Sequence, residues 1–152
     1  MEKPPFTSSI HYRDPKAALA WLEQAFGFEV TMAIDGPPDA PEACHYEMSC
    51  GGQGRLMVGG EWAEWVRSPV SVGGANTQMV HVQLPGGIDQ HCERARAAGA
   101  TITAEPQDEF YGDRTYTARD TEGHVWTFGQ TVRKVTREEA EQASGLKIDG
   151  WA

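Results

Sequence analysis

The chain has 152 residues, of which 39% are hydrophobic, with a formal net charge of −9 and a sequence pI near 4.9. That length predicts a single domain, residues 1–152, with one compact core. The acidic balance leaves no basic stripe for phosphates, so nucleic acid and anionic membranes are not expected as partners. The sequence has neither a hydrophobic leader segment nor a run of roughly 20 apolar residues, which predicts a cytoplasmic protein without a membrane span.

The first half predicts a strand, a helix and three further strands. Apolar and polar residues alternate from Phe6 to Tyr12, which is typical of a strand with one covered face. Asp14 can cap a helix that begins at Pro15 and ends at Gly27. After a second strand, residues 35–41 are too rich in Pro and Gly for regular structure. Residues 45–59 then predict two more strands, giving a first βαβββ module over about residues 5–59.

The second half repeats this pattern. Residues 7–30 align without gaps on residues 79–102, an offset of 72 positions, and residues 45–59 align on residues 115–129, an offset of 70. The order of elements and the hydrophobic phase are the same in both halves, with Tyr46 matched to Tyr116 and Gly59 to Gly129. A linker of residues 60–77 therefore joins the first module to a second one over about residues 78–130.

A C-terminal helix and tail, residues 131–152, follow the repeat. Thr136 and Glu139 have the spacing of a capping box, which predicts a helix that begins there and ends at Gly145. The apolar tail that follows includes Trp151, and the sequence leaves open whether it packs on its own domain or on a partner chain. The fold class is α+β, with two tandem βαβββ modules forming a curled mixed-sheet cleft and a short C-terminal helix.

Strand alternation predicts which residues lie on the sheet face away from the helices. If the sheets curl, that face lines a cavity for a small ligand; if they are flat, it is a polar surface exposed to water. We expect the cavity, with these ligand-binding residues: His11, His45, Glu47, Met57, Met79, His81, Gln83, Thr117, Arg119 and Thr127. Arg119 can hold an anionic ligand or form a salt bridge with Glu47.

The final predicted hairpin resembles a known family. Residues 111–129, YGDRTYTARDTEGHVWTFG, are similar to the last hairpin of the vicinal oxygen chelate superfamily, which includes glyoxalase I, extradiol dioxygenases and bleomycin-resistance proteins. Arg13-Asp14 and Gly27-Phe28-Glu29 extend the resemblance to about residues 6–130. The resemblance implies paired βαβββ modules around a U-shaped cleft and a homodimer.

Metal-dependent members of that superfamily hold a divalent ion with His, Gln or Glu from the first and last strand of each module. Carried over by position, these sites are Thr7, Met57, Met79 and Thr127. Hydroxyl and thioether groups are weak ligands for such ions, so we expect neither a metal nor another cofactor. A displaced metal site built from His11, His45, Glu47 and His81 stays open as an alternative.

Three functions follow from these observations. The first is a metal-free protein that binds a small molecule, similar to the bleomycin-resistance branch. The second is an enzyme, a lyase, isomerase or dioxygenase, that uses the displaced site or has His81 as an acid/base with Glu47 as the other candidate catalytic residue. The third is an interaction or regulatory module, with Trp62, Trp65 and the tail as its contact surface.

Overall fold

The computed structural model describes residues 2–151 and contains two sheets of four strands each. The first module has strands β1 (Ser8–Tyr12), β2 (Glu29–Ile34), β3 (His45–Cys50) and β4 (Gln53–Gly60), with helix α1 (Pro15–Phe26) between β1 and β2. The second has strands β5 (Met79–Gln83), β6 (Thr101–Asp108), β7 (Asp113–Arg119) and β8 (Val125–Thr131), with helix α2 (Ile88–Ala97) between β5 and β6. Helix α3 (Arg137–Ser144) follows the second module.

The two sheets have the same topology, which confirms the repeat predicted from the sequence. Their strand orders are β1-β4-β3-β2 and β5-β8-β7-β6, and in each sheet the first strand of the module runs parallel to the last. The other neighbouring strands are antiparallel. In both sheets the first and second strands of the module lie at the edges, so β1 and β5 each have one unpaired side.

The helices begin and end where the sequence predicts. The Asp14 carboxylate accepts a hydrogen bond from the Ala17 amide at the start of α1, and Gly27 ends that helix with a left-handed φ of 72°. The capping box of α3 is present, with Thr136 and Glu139 each accepting from the other's backbone amide. Left-handed φ favours glycine, which explains why Gly27 and Gly145 end their helices.

One core joins both modules. Helices α1 and α2 contact each other, and Phe26 of α1 lies against Phe28, Trp126 and Phe128, with ring centroids 5.6, 5.5 and 4.7 Å away. Trp126 and Phe128 are fully buried. Phe6, which the alternation places on the covered face, instead precedes β1 and is 90% exposed. The helix-facing sides of both sheets are therefore packed into a shared interior, while their other sides are open.

The linker and the tail are ordered by contacts within the chain. The linker contains a 3₁₀ helix, Pro69–Val72, and Val66 and Ser68 are buried. Trp151 in the tail donates a hydrogen bond to the Val135 carbonyl, 3.2 Å away, so this end of the tail packs on its own chain. Within residues 2–151, no helix has the length and apolar character that crossing a membrane requires.

Candidate functional site

The open face of the first sheet carries a cluster of charged side chains. Glu47 on β3 accepts hydrogen bonds from His45 Nε2 at 2.9 Å and from Arg55 Nε at 2.9 Å, and Arg55 Nη2 also contacts it. The Glu47 side chain is only 10% exposed, so its charge needs these partners. The hydrogen bonds from Arg55, followed by that from His45, lower the pKa of Glu47 to about 2. The carboxylate is therefore ionised and held in place.

His11 lies near one end of this face. Its Nδ1 donates to the Gly60 carbonyl at 3.0 Å, and its Nε2 is 3.0 Å from the Ser9 hydroxyl. The Trp62 ring lies edge-on to it, with ring centroids 6.5 Å apart. Trp62 and Trp65 contact each other and are 55% and 76% exposed. The linker thus presents an aromatic pair to solvent next to the open face of the first sheet.

The open face of the second sheet carries Met79, His81, Gln83, Thr117, Arg119 and Thr127. The Asp113 carboxylate accepts hydrogen bonds from Gln83 and Thr131. His81 on β5 lies beside Thr127 in the strand register, and Thr127 is hydrogen-bonded to Thr117 at 3.2 Å. His81 Nε2 donates to the Gln83 side chain at 3.2 Å. Met79 is 60% exposed.

Arg119 does not pair with Glu47. Its Nη1 donates to the Gly74 and Gly123 carbonyls at 3.3 and 3.4 Å, while Glu47 is paired with Arg55 on the neighbouring strand. The salt bridge considered from the sequence was therefore assigned to the wrong arginine. Arg55 lies on β4, which pairs with the strand that carries Glu47, whereas Arg119 lies on β7 of the second sheet.

The ten predicted ligand-binding residues form two groups in one copy of the chain. His11, His45, Glu47 and Met57 lie on the first sheet, and the other six lie on the second. The metal positions implied by the resemblance, Thr7, Met57, Met79 and Thr127, offer only hydroxyl and thioether groups, which do not fit a divalent ion. Among residues 2–151, no three His, Cys, Asp or Glu side chains are grouped as metal ligands.

A groove of about 950 Å³ lies between the two modules. It runs between the starts of β1 and β4 on one side and the edge strand β5 on the other. Its apolar lining consists of Phe6, Phe28, Met48, Leu56, Val80, Val82, Leu84, Pro85 and Trp126. A volume of this size and a largely apolar lining with a few polar groups are typical of small-molecule sites.

Polar side chains give the groove directed hydrogen-bonding groups. They are Thr7, Ser8, Ser9, Ser49, Gln53, Arg55, Gln78, His81 and Gln83. Only His81 and Gln83 belong to the predicted ligand-binding set. Sequence analysis missed the apolar lining because Phe28, Leu56 and Trp126 have the phase of core residues, and they are indeed buried. The opening that gives a ligand access to them arises only when the two modules pack together.

Polar contacts, some of them buried, fix the second module on the first. Asp120, in the final hairpin, accepts hydrogen bonds from the Tyr12 hydroxyl at 2.6 Å and from Trp126 Nε1 at 3.0 Å. His124 Nε2 donates to the His11 carbonyl at 2.6 Å. Glu122 accepts from the backbone amides of Arg13 and Asp14 at 2.6 and 2.9 Å. These bonds hold the final hairpin against the start of α1.

Helix α2 makes equivalent contacts with the end of α1. His91 Nε2 donates to the Phe26 carbonyl at 2.9 Å, and Nδ1 lies 2.6 Å from the Tyr116 hydroxyl. Burial lowers the pKa of His91. Arg94 donates to the Glu23 and Gln24 carbonyls, and Trp21 Nε1 donates to the Ala98 carbonyl at 2.7 Å. Together with the hairpin contacts, these bonds fix the relative position of the groove walls.

Comparison with known proteins agrees with this architecture. The family model described as the Glyoxalase/Bleomycin resistance protein/Dioxygenase superfamily matches residues 8–128. The structure of TioX from Micromonospora sp. ML1 is 32% identical, covers 83% of this chain and 97% of its own, and superposes with a TM-score of 0.64. The chain therefore belongs to the glyoxalase/bleomycin resistance protein/dioxygenase superfamily.

Other similar structures share the fold at lower identity. A superfamily member from Sphaerobacter thermophilus DSM 20745 is 21% identical, with 85% of this chain and 98% of that chain covered and a TM-score of 0.66. TnmS3 from Streptomyces sp. CB03234, described as an antibiotic binding protein, is 17% identical, with 82% and 93% covered and a TM-score of 0.63.

Curated relatives occur in mycobacteria. An uncharacterised protein of Mycobacterium bovis and one of Mycobacterium tuberculosis are each 35% identical over 83 residues, or 55% of this chain. The match spans 53% and 48% of those two proteins, so the chain matches about half their length.

Proposed function

We propose that the protein binds a small, largely apolar organic molecule in the groove between its two modules. The observation that carries this proposal is the groove itself, about 950 Å³ in volume, with an apolar lining that includes Phe28 and Trp126 and a few polar groups. The fold supports it, since TnmS3, which has the same fold, is an antibiotic binding protein. Fold similarity alone does not identify the ligand.

The geometry supports binding better than catalysis. Both carboxylate oxygens of Glu47 are engaged by Arg55 and His45, so neither is left as a free base. His81 contacts Gln83 and has no acidic partner among the described residues. The enzyme hypothesis and a cytoplasmic location stay predictions.

Titration with the fluorescent probe 8-anilinonaphthalene-1-sulfonate tests the binding proposal. Gln53 and Gln78 line the groove and are exposed, so the double variant Gln53→Trp/Gln78→Trp fills it without touching the core. Saturable binding of one probe per groove is expected in the wild type, with at least a tenfold weaker affinity in this variant. The control, Gln107→Trp/Gln142→Trp, changes exposed residues outside the groove and is expected to bind like the wild type.

Two results would contradict the binding proposal. One is the absence of saturable binding by the wild type. The other is equal affinity in the groove-filling variant and the wild type while circular dichroism shows both to be folded.

We also propose that the protein is a homodimer. Val30, Met32 and Ile34 on the edge strand β2 are 36%, 43% and 53% exposed, and an exposed apolar edge strand favours pairing with another chain. Sedimentation equilibrium distinguishes a dimer from the 16.7 kDa monomer. A single species of monomer mass at micromolar concentration would end this proposal.

A further inference from the structure

Ser49 in the groove has a hydroxyl without a partner. The residue is 5% exposed, and among residues 2–151 its Oγ is the only buried side-chain nitrogen or oxygen that makes no hydrogen bond. A buried polar group without a partner destabilises the fold, and such groups are rare enough to need an explanation. Ser49 is one of the residues that line the groove, and its Oγ lies just below the groove surface, so a ligand reaches the hydroxyl when a neighbouring lining side chain moves aside.

Arg55 provides a second group at the same end of the groove. Met48 on β3 pairs with Leu56 on β4, and the register then shifts so that Cys50 pairs with Gln53. Ser49 and Arg55 lie within this irregular end of the strand pair. Nε and Nη2 of Arg55 are held by Glu47, whereas Nη1 makes no hydrogen bond to any described residue. The Arg55 side chain is 16% exposed, and charge-assisted hydrogen bonds are strong in such a setting.

The described lining of the groove contains no acidic residue. The chain carries 22 Asp and Glu residues, and among residues 2–151 the titratable groups that line the groove are those of Cys50, Arg55 and His81. The hydrogen bonds of Glu47 neutralise part of the Arg55 charge and fix the guanidinium orientation, so Glu47 is a positioning residue. Toward the other end, Leu84, Pro85 and Val82 provide only apolar contact.

We infer that the ligand of this groove is an amphiphile whose apolar body ends in a hydrogen-bond acceptor, a carboxylate or carbonyl, bound by the Ser49 hydroxyl and the Arg55 guanidinium. This inference rests on the proposed function, because it concerns the same groove. The Arg55 guanidinium is positively charged and only donates, so an acceptor satisfies it together with the Ser49 hydroxyl, whereas a cationic amine is repelled. The apolar body covers the lining around Phe28 and Trp126.

A pair of probes with the same apolar body tests the inference. By isothermal titration calorimetry, 1-naphthoate is expected to bind the wild type at least tenfold more tightly than 1-naphthylmethylamine. Ser49→Ala is expected to weaken naphthoate binding about five- to tenfold, since one hydrogen bond is lost, and to leave amine binding unchanged. Arg55→Met is expected to weaken naphthoate binding more than tenfold. Arg133→Met, which lies outside the groove, is the control and is expected to bind naphthoate like the wild type.

The thermal unfolding midpoint of Ser49→Ala shows whether Ser49 acts on ligand binding or on the stability of the fold. Its hydroxyl has no partner in the free protein, so Ser49→Ala removes no hydrogen bond and is not expected to lower the thermal unfolding midpoint. Arg55→Lys, which keeps the charge opposite Glu47, is the second variant in case Arg55→Met does not fold. It is expected to weaken naphthoate binding by loss of the planar guanidinium.

Each outcome bears on one proposal. Equal affinities for acid and amine, or unchanged naphthoate binding in Ser49→Ala, would overturn the inference and leave the proposed function standing. If neither 1-naphthoate nor 1-naphthylmethylamine binds while anilinonaphthalene sulfonate still binds, the inference is overturned and the proposed function stands. Failure of all three probes would end the proposed function and the inference together.

Discussion

The two modules have equivalent cores but different open faces. On the covered side, Tyr46 and Val58 of the first module correspond to Tyr116 and Phe128 of the second, and all four are buried. On the open side, the ionic cluster His45, Glu47 and Arg55 corresponds to Thr115, Thr117 and Val125. The residues that pack against the helices have stayed apolar, whereas the positions of the ionic cluster hold two threonines and a valine in the second module.

This difference shows where a duplicated scaffold is free to change. A core position must fill its space with apolar atoms, so both copies keep large apolar side chains. An open-face position has only to satisfy its polar groups, which an ion pair and a pair of threonines do equally well. The copies therefore share a fold while presenting different chemistry.

The largest expected effect comes from equivalent core positions, Leu56 in the first module and Trp126 in the second. Trp126→Ala is expected to reduce the free energy of unfolding by about 3–5 kcal/mol, because a fully buried aromatic side chain and its bond to Asp120 are lost. Leu56→Ala, at the groove wall, is expected to cost about 2 kcal/mol. Urea unfolding measures the loss of unfolding free energy in both variants. Equal losses would contradict the expectation that Trp126 contributes more to stability than Leu56.

A smaller effect is expected at the equivalent positions Cys50 and Asp120. Asp120→Ala is expected to cost about 2–4 kcal/mol, because the Tyr12 hydroxyl and Trp126 Nε1 lose their acceptor inside the protein. Cys50→Ala is expected to cost less than about 1 kcal/mol, since Cys50 is a free, half-buried thiol. Urea unfolding again provides the measurement. If Asp120→Ala is as stable as Cys50→Ala, the hydrogen bonds from Tyr12 and Trp126 to Asp120 do not contribute to the free energy of unfolding.

The smallest effect concerns the ionic cluster and depends on pH. The pKa of Glu47 falls from its usual 4.5 to about 2 in the folded protein, so the stability it adds is complete above pH 4.5 and is lost as pH falls toward 2. The difference in unfolding midpoint between wild type and Glu47→Gln is therefore expected to shrink over that range. Thr117→Val, at the equivalent position, is expected to show a difference that does not change with pH. If the difference in unfolding midpoint between wild type and Glu47→Gln is the same at pH 4.5 and near pH 2, the ionised Glu47 carboxylate does not contribute to stability.

Much of the fold follows from local sequence signals. Asp14, Gly27, Thr136 and Glu139 predict the helix ends because capping depends on residues within one turn. Strand alternation predicts the covered faces, and the offsets of 72 and 70 positions predict the repeated sheet topology. Phe6 is the exception, since the first strand begins two residues after it.

The groove could not be predicted in the same way. His81 and Gln83 were identified because strand alternation places them on an open face. Leu56 and Trp126 look like ordinary core residues, and the groove exists only because α1 and α2 pack at one particular position. That position depends on contacts such as Arg94 with the Glu23 carbonyl, which join residues 71 positions apart.

The Glu122 contacts have a consequence for synthesis on the ribosome. The backbone amides just before α1 depend on a carboxylate that lies 108 and 109 positions later in the chain. While the chain is being translated, the first helix therefore emerges long before its final partner, and those amides stay hydrated in the meantime. A nascent chain stalled before residue 122 therefore has the Asp14 cap of its first helix but lacks the carboxylate that accepts from the two amides before it.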